Sequence, residues 1–224
     1  MRKPVMISLC DKSGIMAEPW ANNGFTCICV DLQHSISKTK KGKHPTKEFE
    51  SGGIIHFVYG DARSWKPESF DKDFFKKYYI EFISCFPVCT DLSGSGAQYW
   101  PLKGIPMLTD ALNLFNSCET IASWSGAPYC IENPVGCIPT HHRKPDYYFQ
   151  PWFYGEMYQK YTCLWTGNGF VMPEIKYTIK PAAVKQKIID LSPSKDRKDL
   201  RSETPKLFAE AVFQSNNQKN LTNV

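Results

Sequence analysis

Two residues of this chain have the type and the setting for covalent chemistry. Cys89 follows Pro87 and precedes the small, flexible run Thr90-Asp91-Leu92-Ser93-Gly94-Ser95-Gly96. A thiol at the mouth of such a loop can meet backbone N–H dipoles, which favour thiolate and lower its pKa from the free value of about 8.5. Glu132 lies at the end of the apolar run Pro128–Asn133, with Pro134 behind it. A carboxyl at the rim of a partly apolar crevice can hold a proton and deliver it as a general acid. Three more acids, Asp11, Asp31 and Asp61, each follow or close an apolar run. A nucleophile, a proton donor and several acceptor carboxylates suit covalent catalysis on a bound polar ligand.

The elements that must position these residues are legible as alternating apolar patterns. Short runs bounded by turn signals predict strands at Pro4–Leu9, Phe25–Leu32, Ile54–Tyr59, Tyr78–Ser84, Pro128–Asn133 and Lys160–Trp165. Their near-continuous apolar character suits a parallel sheet buried on both faces. Ile15–Asn22 reads as a helix ended by Gly24. Leu108–Ser123 reads as the best helix, because Leu108, Ala111, Leu112, Phe115, Cys118 and Ala122 share one face, with Thr109 or Asp110 as cap. Glu203–Phe213 reads as a final helix. Ser35–Gly53, with Lys38, Lys40, Lys41 and Lys43, reads as an exposed basic loop. Tyr147–Trp152 is expected to pack against the sheet. The alternation predicts a doubly wound α/β fold, mostly parallel, with helices on both faces. Its ligand site belongs at the carboxyl ends of the strands, where all five residues above fall.

The chain's 224 residues suit one domain, which can withdraw roughly 70% of its unfolded surface from water. We expect a single catalytic domain over residues 1–215, a loop insertion at 35–53 and a frayed tail at 216–224. At 42% hydrophobic and 22% charged residues the composition is globular rather than disordered. The longest apolar runs fall short of the ~18–20 residues that cross a bilayer, and the opening apolar run is too short for a signal peptide, so a cytoplasmic protein without membrane contact is expected. Nine cysteines, an odd number with no CxxC pair, read as reduced thiols. Neither the Cys27–Cys29 and Cys85–Cys89 spacings nor His141-His142 make a zinc pattern, so no metal is expected. The net charge of +5 permits a phosphate-bearing partner without requiring one. Lys38–Lys43, Arg143-Lys144, Lys185–Lys198 and the Tyr147–Trp152 aromatics are candidates for phosphate contact and stacking, or else solvated loops and packing.

The first turn, Asp11-Lys12-Ser13-Gly14, has a single glycine, and neither GxGxxG nor a phosphate loop is present. Asp31 suits a ribose diol and Asp61 an adenine amino group, or each ends its strand as a turn residue. Ribose and adenine readers without a phosphate cradle fit S-adenosylmethionine better than NAD or ATP. A thiol and a protonable carboxyl beside a sulfonium methyl donor solve one problem: carbon 5 of cytosine is a poor nucleophile. Thiolate addition to carbon 6, with protonation at ring nitrogen 3, makes carbon 5 nucleophilic.

The set FISCFPVCT, CIENPVG, SLCDKSG and VDLQH resembles the DNA cytosine-5 methyltransferase family, especially its short phage-encoded members. The likeness extends to KPDYYFQPWFYGE, KYTCLW and RSETPKLFAEA (Arg201–Ala211). The resemblance implies a Rossmann-like methyltransferase fold, S-adenosylmethionine as cofactor and DNA as partner. It makes Cys89 the nucleophile and Glu132 the acid. On the cofactor side it points to Asp11, Ser13, Gly14, Asp31, Leu32, Asp61, Ala62 and Pro87. On the substrate side it points to Thr90, Ser93, Asn133, Pro134, His142 and Arg143. Val88 stands where the family has proline directly before the nucleophile. Between Trp165 and Arg201 there is no room for a large target-recognition domain, so readout is expected to be relaxed or shared with a partner subunit or second copy. The same chemistry on a free cytosine nucleotide, and a binding or anti-restriction protein without turnover, are the alternative readings. A phage-encoded chain would act in the host cytoplasm.

Overall fold

A computed structural model describes residues 2–40, 43–186 and 203–217. The chain opens with β1 (Lys3–Leu9), a single 3-10 turn (Ile15–Ala17) running into α1 (Glu18–Asn22), and β2 (Thr26–Asp31). Then come α2 (Ile36–Lys40), β3 (Thr46–Glu48), β4 (Ile54–Tyr59), α3 (Pro67–Phe70), α4 (Phe74–Lys77) and β5 (Tyr78–Cys85). A 3-10 stretch (Gly94–Tyr99) leads to the long α5 (Trp100–Trp124), followed by β6 (Tyr129–Pro134), α6 (Ile138–His141) and β7 (Tyr147–Phe149). The remainder holds a 3-10 turn (Pro151–Tyr154), β8 (Tyr158–Gln159), β9 (Thr162–Gly167), β10 (Lys185–Gln186) and α7 (Lys206–Asn216).

Eight strands form one sheet in the order β3-β4-β2-β1-β5-β6-β9-β7. The five central strands β4, β2, β1, β5 and β6 are parallel, β3 and β9 are antiparallel to their inner neighbours, and β7 is antiparallel to β9. This is the doubly wound, Rossmann-like sheet that the sequence predicts. Chain order turns at β1, which lies between β2 and β5. That reversal opens a crevice outside the carboxyl ends, where ligands of such sheets bind.

Both faces are buried, as the continuous apolar runs require. Along β1, Val5, Ile7 and Leu9 join one core with Ala111, Leu114, Phe115, Cys118 and Ala122 of α5. Met6 joins the other, with Trp20 of α1 and Phe208, Val212 and Phe213 of α7. Trp20 sits at its centre, stacked on Phe82 at 5.0 Å and edge-on to Phe213. None of the nine cysteines forms a disulfide.

Four expectations need correction. Residues 35–53 are not a plain loop: α2 and the edge strand β3 lie within them, β3 pairing Thr46–Glu48 with His56–Ile54. Charged side chains on β3 hid it, yet an edge strand needs only one neighbour and tolerates solvent on its free side. Helix α5 starts eight residues before the expected Leu108 and carries a break at Gly104 (φ 69°), a backbone conformation that glycine alone adopts readily. The Tyr147–Trp152 segment does not pack as a unit: Phe149 and Trp152 are buried, while Tyr147 and Tyr148 are exposed. The final helix begins at Lys206, after Pro205, rather than at Glu203. Most of the Lys185–Lys198 run and of the 216–224 tail lies outside the described residues.

Candidate active site

The turn after β1 is organised by Asp11. Its buried carboxylate accepts hydrogen bonds from Ser8 Oγ (2.7 Å), Ser13 Oγ (3.0 Å) and the Gly14 N–H (2.7 Å). Gly14 has φ 72°, and a Cβ there would lie 2.9 Å from the Phe57 ring, so glycine is needed for both conformation and space. Asp11 and Ser13 are therefore committed to shaping the turn, and what the turn can offer a ligand is mainly backbone.

Asp31 closes β2, with Leu32 exposed beyond it. Asp31 Oδ1 accepts the Gln33 N–H at 2.7 Å, and burial pushes the carboxyl pKa up. His34 ties three strand ends together: its Nδ1 faces Val58 O at 3.0 Å and its Nε2 faces Lys12 O at 3.3 Å. Asp61, after β4, is gripped by Arg63, whose Nη1 reaches both carboxylate oxygens at 3.1 Å. Arg63 Nη2 also donates to Asp110 Oδ2 of α5 at 2.7 Å, so Asp61 is clamped to the helix. Ala62 is buried beside it.

The loop after β5 carries Cys89. Phe86 N–H bonds Leu9 O at 2.9 Å, and the next residue, Pro87, is buried. Cys89 is half-buried, and its carbonyl accepts the N–H groups of Leu92 (3.1 Å) and Ser93 (2.8 Å), which makes one helical turn behind the thiol. Thr90 is exposed, and its carbonyl accepts from Lys103 Nζ at 3.3 Å, while Lys103 also pairs with Asp91. Ser93 is buried and bridges to Gly136.

The end of β6 meets that loop. Asn133, fully buried, donates from Nδ2 to Pro87 O at 2.9 Å. Gly94 N–H bonds Val135 O, and Cys137 N–H bonds Leu92 O, each at 2.9 Å. Gly136 permits this approach, since a Cβ there would sit 1.9 Å from Leu92 O. The neighbours of Cys89 and of Glu132 are thus stitched together, with Pro134 at the junction. Glu132 is only 8% exposed. Its Oε1 lies 3.4 Å from Lys160 Nζ, close enough for an ion pair but not aligned as a hydrogen bond. Among the described residues, Glu132 Oε1 and Asn133 Oδ1 are buried without a donor, which marks this corner as prepared for a hydrogen-bonding ligand.

Other thiols near this edge are unsuited to attack. Cys10, after β1, lies 4.0 Å from Cys118 Sγ, and that contact followed by burial holds its pKa well above the usual range. Burial is the main cause of the same upward shift in Cys85, Cys130 and Cys137, and it brings Cys163 to about 11. A protonated thiol is a poor nucleophile.

Two residues expected at the substrate do not reach this corner. His142 Nε2 pairs with Glu119 of α5 at 2.8 Å. Arg143 holds Asp146 with two 2.8 Å contacts and donates to Thr166 O at 3.2 Å. Thr166 pairs with Cys130, toward the amino end of β6, whereas the Cys89 loop meets its carboxyl end. Local acceptors hold both side chains.

No family model and no curated protein matches the sequence. Among solved structures, the chain is similar to a candidate DNA modification methyltransferase encoded within an E. coli prophage. That likeness has 17% identity and a TM-score of 0.45, and it covers 74% of this chain and 46% of the other. It is also similar to the E. coli protein YjhP, with 18% identity and a TM-score of 0.30 over 60% of this chain and 44% of that one. The chain therefore matches less than half the length of either.

Sequence reasoning missed Lys160, Arg63 and His34. In the sequence Lys160 marks only the start of a strand, and nothing local shows that this strand runs antiparallel beside β6. The pairing of Thr162 with Pro134 brings Lys160 to Glu132. Arg63 was detectable in principle, since it lies two residues after Asp61 and an Asp-x-Arg turn can close on itself. Among the described residues no group of three His, Cys, Asp or Glu side chains could hold a metal ion, and no helix is long and apolar enough to cross a membrane.

Proposed function

We propose that the protein transfers a methyl group from S-adenosylmethionine to carbon 5 of cytosine in DNA. One observation carries this reading. The Asn133–Pro87 hydrogen bond joins the loop of the half-buried Cys89 to the strand end of the buried Glu132, at the carboxyl edge of the sheet. That is the pairing of nucleophile and proton donor the chemistry needs.

The residues present fit the cofactor in part. Asp31 Oδ1 is taken by Gln33, which leaves Oδ2 to accept from a ribose hydroxyl, and the turn held by Asp11 presents backbone rather than side chains. Asp61 is bound by Arg63, so the pair, rather than a free carboxylate, would face an adenine edge. When bound, S-adenosylmethionine supplies an electrophilic methyl group.

The chain's own residues do the rest. Cys89 Sγ, as thiolate, bonds carbon 6 while the Glu132 carboxyl gives a proton to nitrogen 3, which shifts electron density to carbon 5. Once carbon 5 bears the methyl group, a base removes its proton, the sulfur–carbon bond breaks to return thiolate, and the nitrogen 3 proton goes back to Glu132. Lys160 supplies the counter-charge for that carboxylate. Pro87 and Asn133 position the two groups, and Thr90, Ser93 and Pro134 lie around them.

Incubation with labelled donor and DNA tests the reading. Transfer to cytosine, a covalent adduct with a 5-fluorocytosine oligonucleotide, and loss of both in Cys89→Ser are the expected results. Cofactor binding without transfer to any cytosine would defeat the DNA reading. Transfer to dCMP alone would move the chemistry to the free nucleotide.

A further inference from the structure

The aromatic segment after α6 divides into a packed half and a bare half. Phe149 stacks on Phe208 of α7 with ring centroids 4.0 Å apart, and Trp152 and Tyr154 are buried beside it. Tyr148 turns the other way. Its ring lies parallel to that of Tyr161, with an interplanar angle of 7° and centroids 5.4 Å apart. The two remain 45% and 52% exposed. Burial would explain an aromatic pair in a core, and a hydroxyl partner would explain a lone surface tyrosine. Neither explains two mutually stacked rings offered to solvent.

Their position is informative. Tyr148 is opposite Cys163 on β9, and Tyr161 immediately precedes that strand. The next residue, Thr162, pairs with Pro134 at the end of β6. The residue before, Lys160, reaches Glu132, and its N–H is pinned by Gln150 Oε1 at 3.0 Å. The ring pair therefore stands beside the corner that holds the proposed acid. The segment that follows is basic in sequence, with Lys160, Lys176, Lys180 and Lys185 against the single acid Glu174 from Lys160 to Gln186, although Glu132, Glu156 and Glu203 lie near Tyr158. Lys176 and Lys180 are exposed, and β10 brings Lys185 into register with Tyr158.

We infer that Tyr148 and Tyr161 form a stacking platform for an unstacked nucleobase of single-stranded DNA beside the target base. A flat π-face accepts any base, and cations alongside hold the backbone, which is how single strands bind without sequence readout. This would supply contact with the strand beside the target base. It also accounts for a mutually stacked pair of exposed rings at this sheet edge. The inference rests on the DNA reading of the site, but its test need not.

Oligo(dT) of twelve residues contains no cytosine, so its binding probes the platform apart from methyl transfer. Fluorescence anisotropy at fixed salt should show a loss of about 5- to 150-fold in affinity for Tyr148→Ala/Tyr161→Ala, the range that base–aromatic stacking gives on removal. Tyr148→Phe and Tyr161→Phe should bind as the parent does, because they keep the ring. Tyr161→Leu keeps apolar area without a flat face and should lose affinity like alanine, which guards against an alanine variant that merely misfolds. Duplex affinity should change less than single-strand affinity. Unchanged oligo(dT) binding in the folded double variant, an equal loss for duplex and single strand, or full retention by Tyr161→Leu would overturn the platform. Failed methyl transfer with tyrosine-dependent oligo(dT) binding would sink only the catalytic reading.

Discussion

Asn133 gives the sharpest test of how the site is held. Its amide is fully buried and donates 2.9 Å to the Pro87 carbonyl, two residues before the proposed nucleophile. Replacement by alanine removes the donor and leaves that carbonyl buried without it. A stranded buried acceptor costs about 1–3 kcal/mol, more than the net worth of the bond itself. For a domain of this size each kcal/mol lowers the melting temperature by about 2–4 °C. Asn133→Ala should therefore melt about 2–12 °C below the parent and remain folded at 25 °C. Activity should fall much further. Freed from β6, the Pro87–Cys89 segment can drift, and a displacement of about 1 Å at a reacting atom can cost on the order of 100-fold. The assay pairs a thermal melt with the rate of covalent trapping on a 5-fluorocytosine oligonucleotide. Asn133 acts here as a positioning residue, so cofactor affinity should stay near the parent value. A folded Asn133→Ala protein that traps within about threefold of the parent rate would refute the coupling between strand end and nucleophile.

Two further predictions concern stability. Gly136→Ala places a Cβ 1.9 Å from Leu92 O and 2.8 Å from Ser93 Cα, both backbone atoms that cannot swing aside; overpacking of this kind costs about 1–3 kcal/mol or more, so a reduced melting temperature and slowed trapping are expected, and a melt equal to the parent's would contradict the close approach. His56 stands 2.9 Å from His44 across the β3–β4 edge, and burial, then the neighbouring His44, lowers its pKa to about 4. Because the unfolded imidazole takes its proton near pH 6.5, the unfolded chain binds more protons between about pH 6.5 and 4, and stability must fall as pH drops through that window. The full shift corresponds to about 3 kcal/mol, which solvent access reduces to roughly 1–2 kcal/mol. Melts of His56→Phe from pH 7 to 4.5 should show a flatter slope than the parent, and an identical slope would assign the effect elsewhere.

The fold was more legible than the site, for a physical reason. β1, β2, β4, β5 and β6 are central strands whose two buried faces demand unbroken apolar runs, and each run ends at a polar residue that marks its edge. The candidates Asp31 and Glu132 lie in the last residues of β2 and β6, and Asp61 and Cys89 lie in the loops that follow β4 and β5, so the strand ends alone single them out. β3 and β7 are short edge strands, Thr46–Glu48 and Tyr147–Phe149, with solvent on one side, so their composition carries little strand signal. Lys160 was hidden for another reason. Its role depends on β9 slotting between β6 and β7, a pairing between residues about thirty positions apart that no local pattern encodes. Arg143 shows the converse. Its charge suggests a ligand contact, whereas in the structure its guanidinium is held by Asp146 and by the Thr166 carbonyl.

The departure at Val88 can be weighed on the same grounds. A proline directly before the proposed nucleophile would stiffen the loop through its fixed φ. Here the stiffening comes from elsewhere. The Pro87 carbonyl is held by Asn133, the Cys89 carbonyl by the Leu92 and Ser93 N–H groups, and the following residues by backbone bonds from Gly94 to Val135 and from Cys137 to Leu92. The Val88 side chain is 48% exposed. None of these bonds uses the Val88 side chain, so valine in place of proline there removes no hydrogen bond that joins the loop to β6. What the loop cannot lose is Asn133 and the open backbone at Gly136, because they set the distance between the strand carrying Glu132 and the turn carrying Cys89.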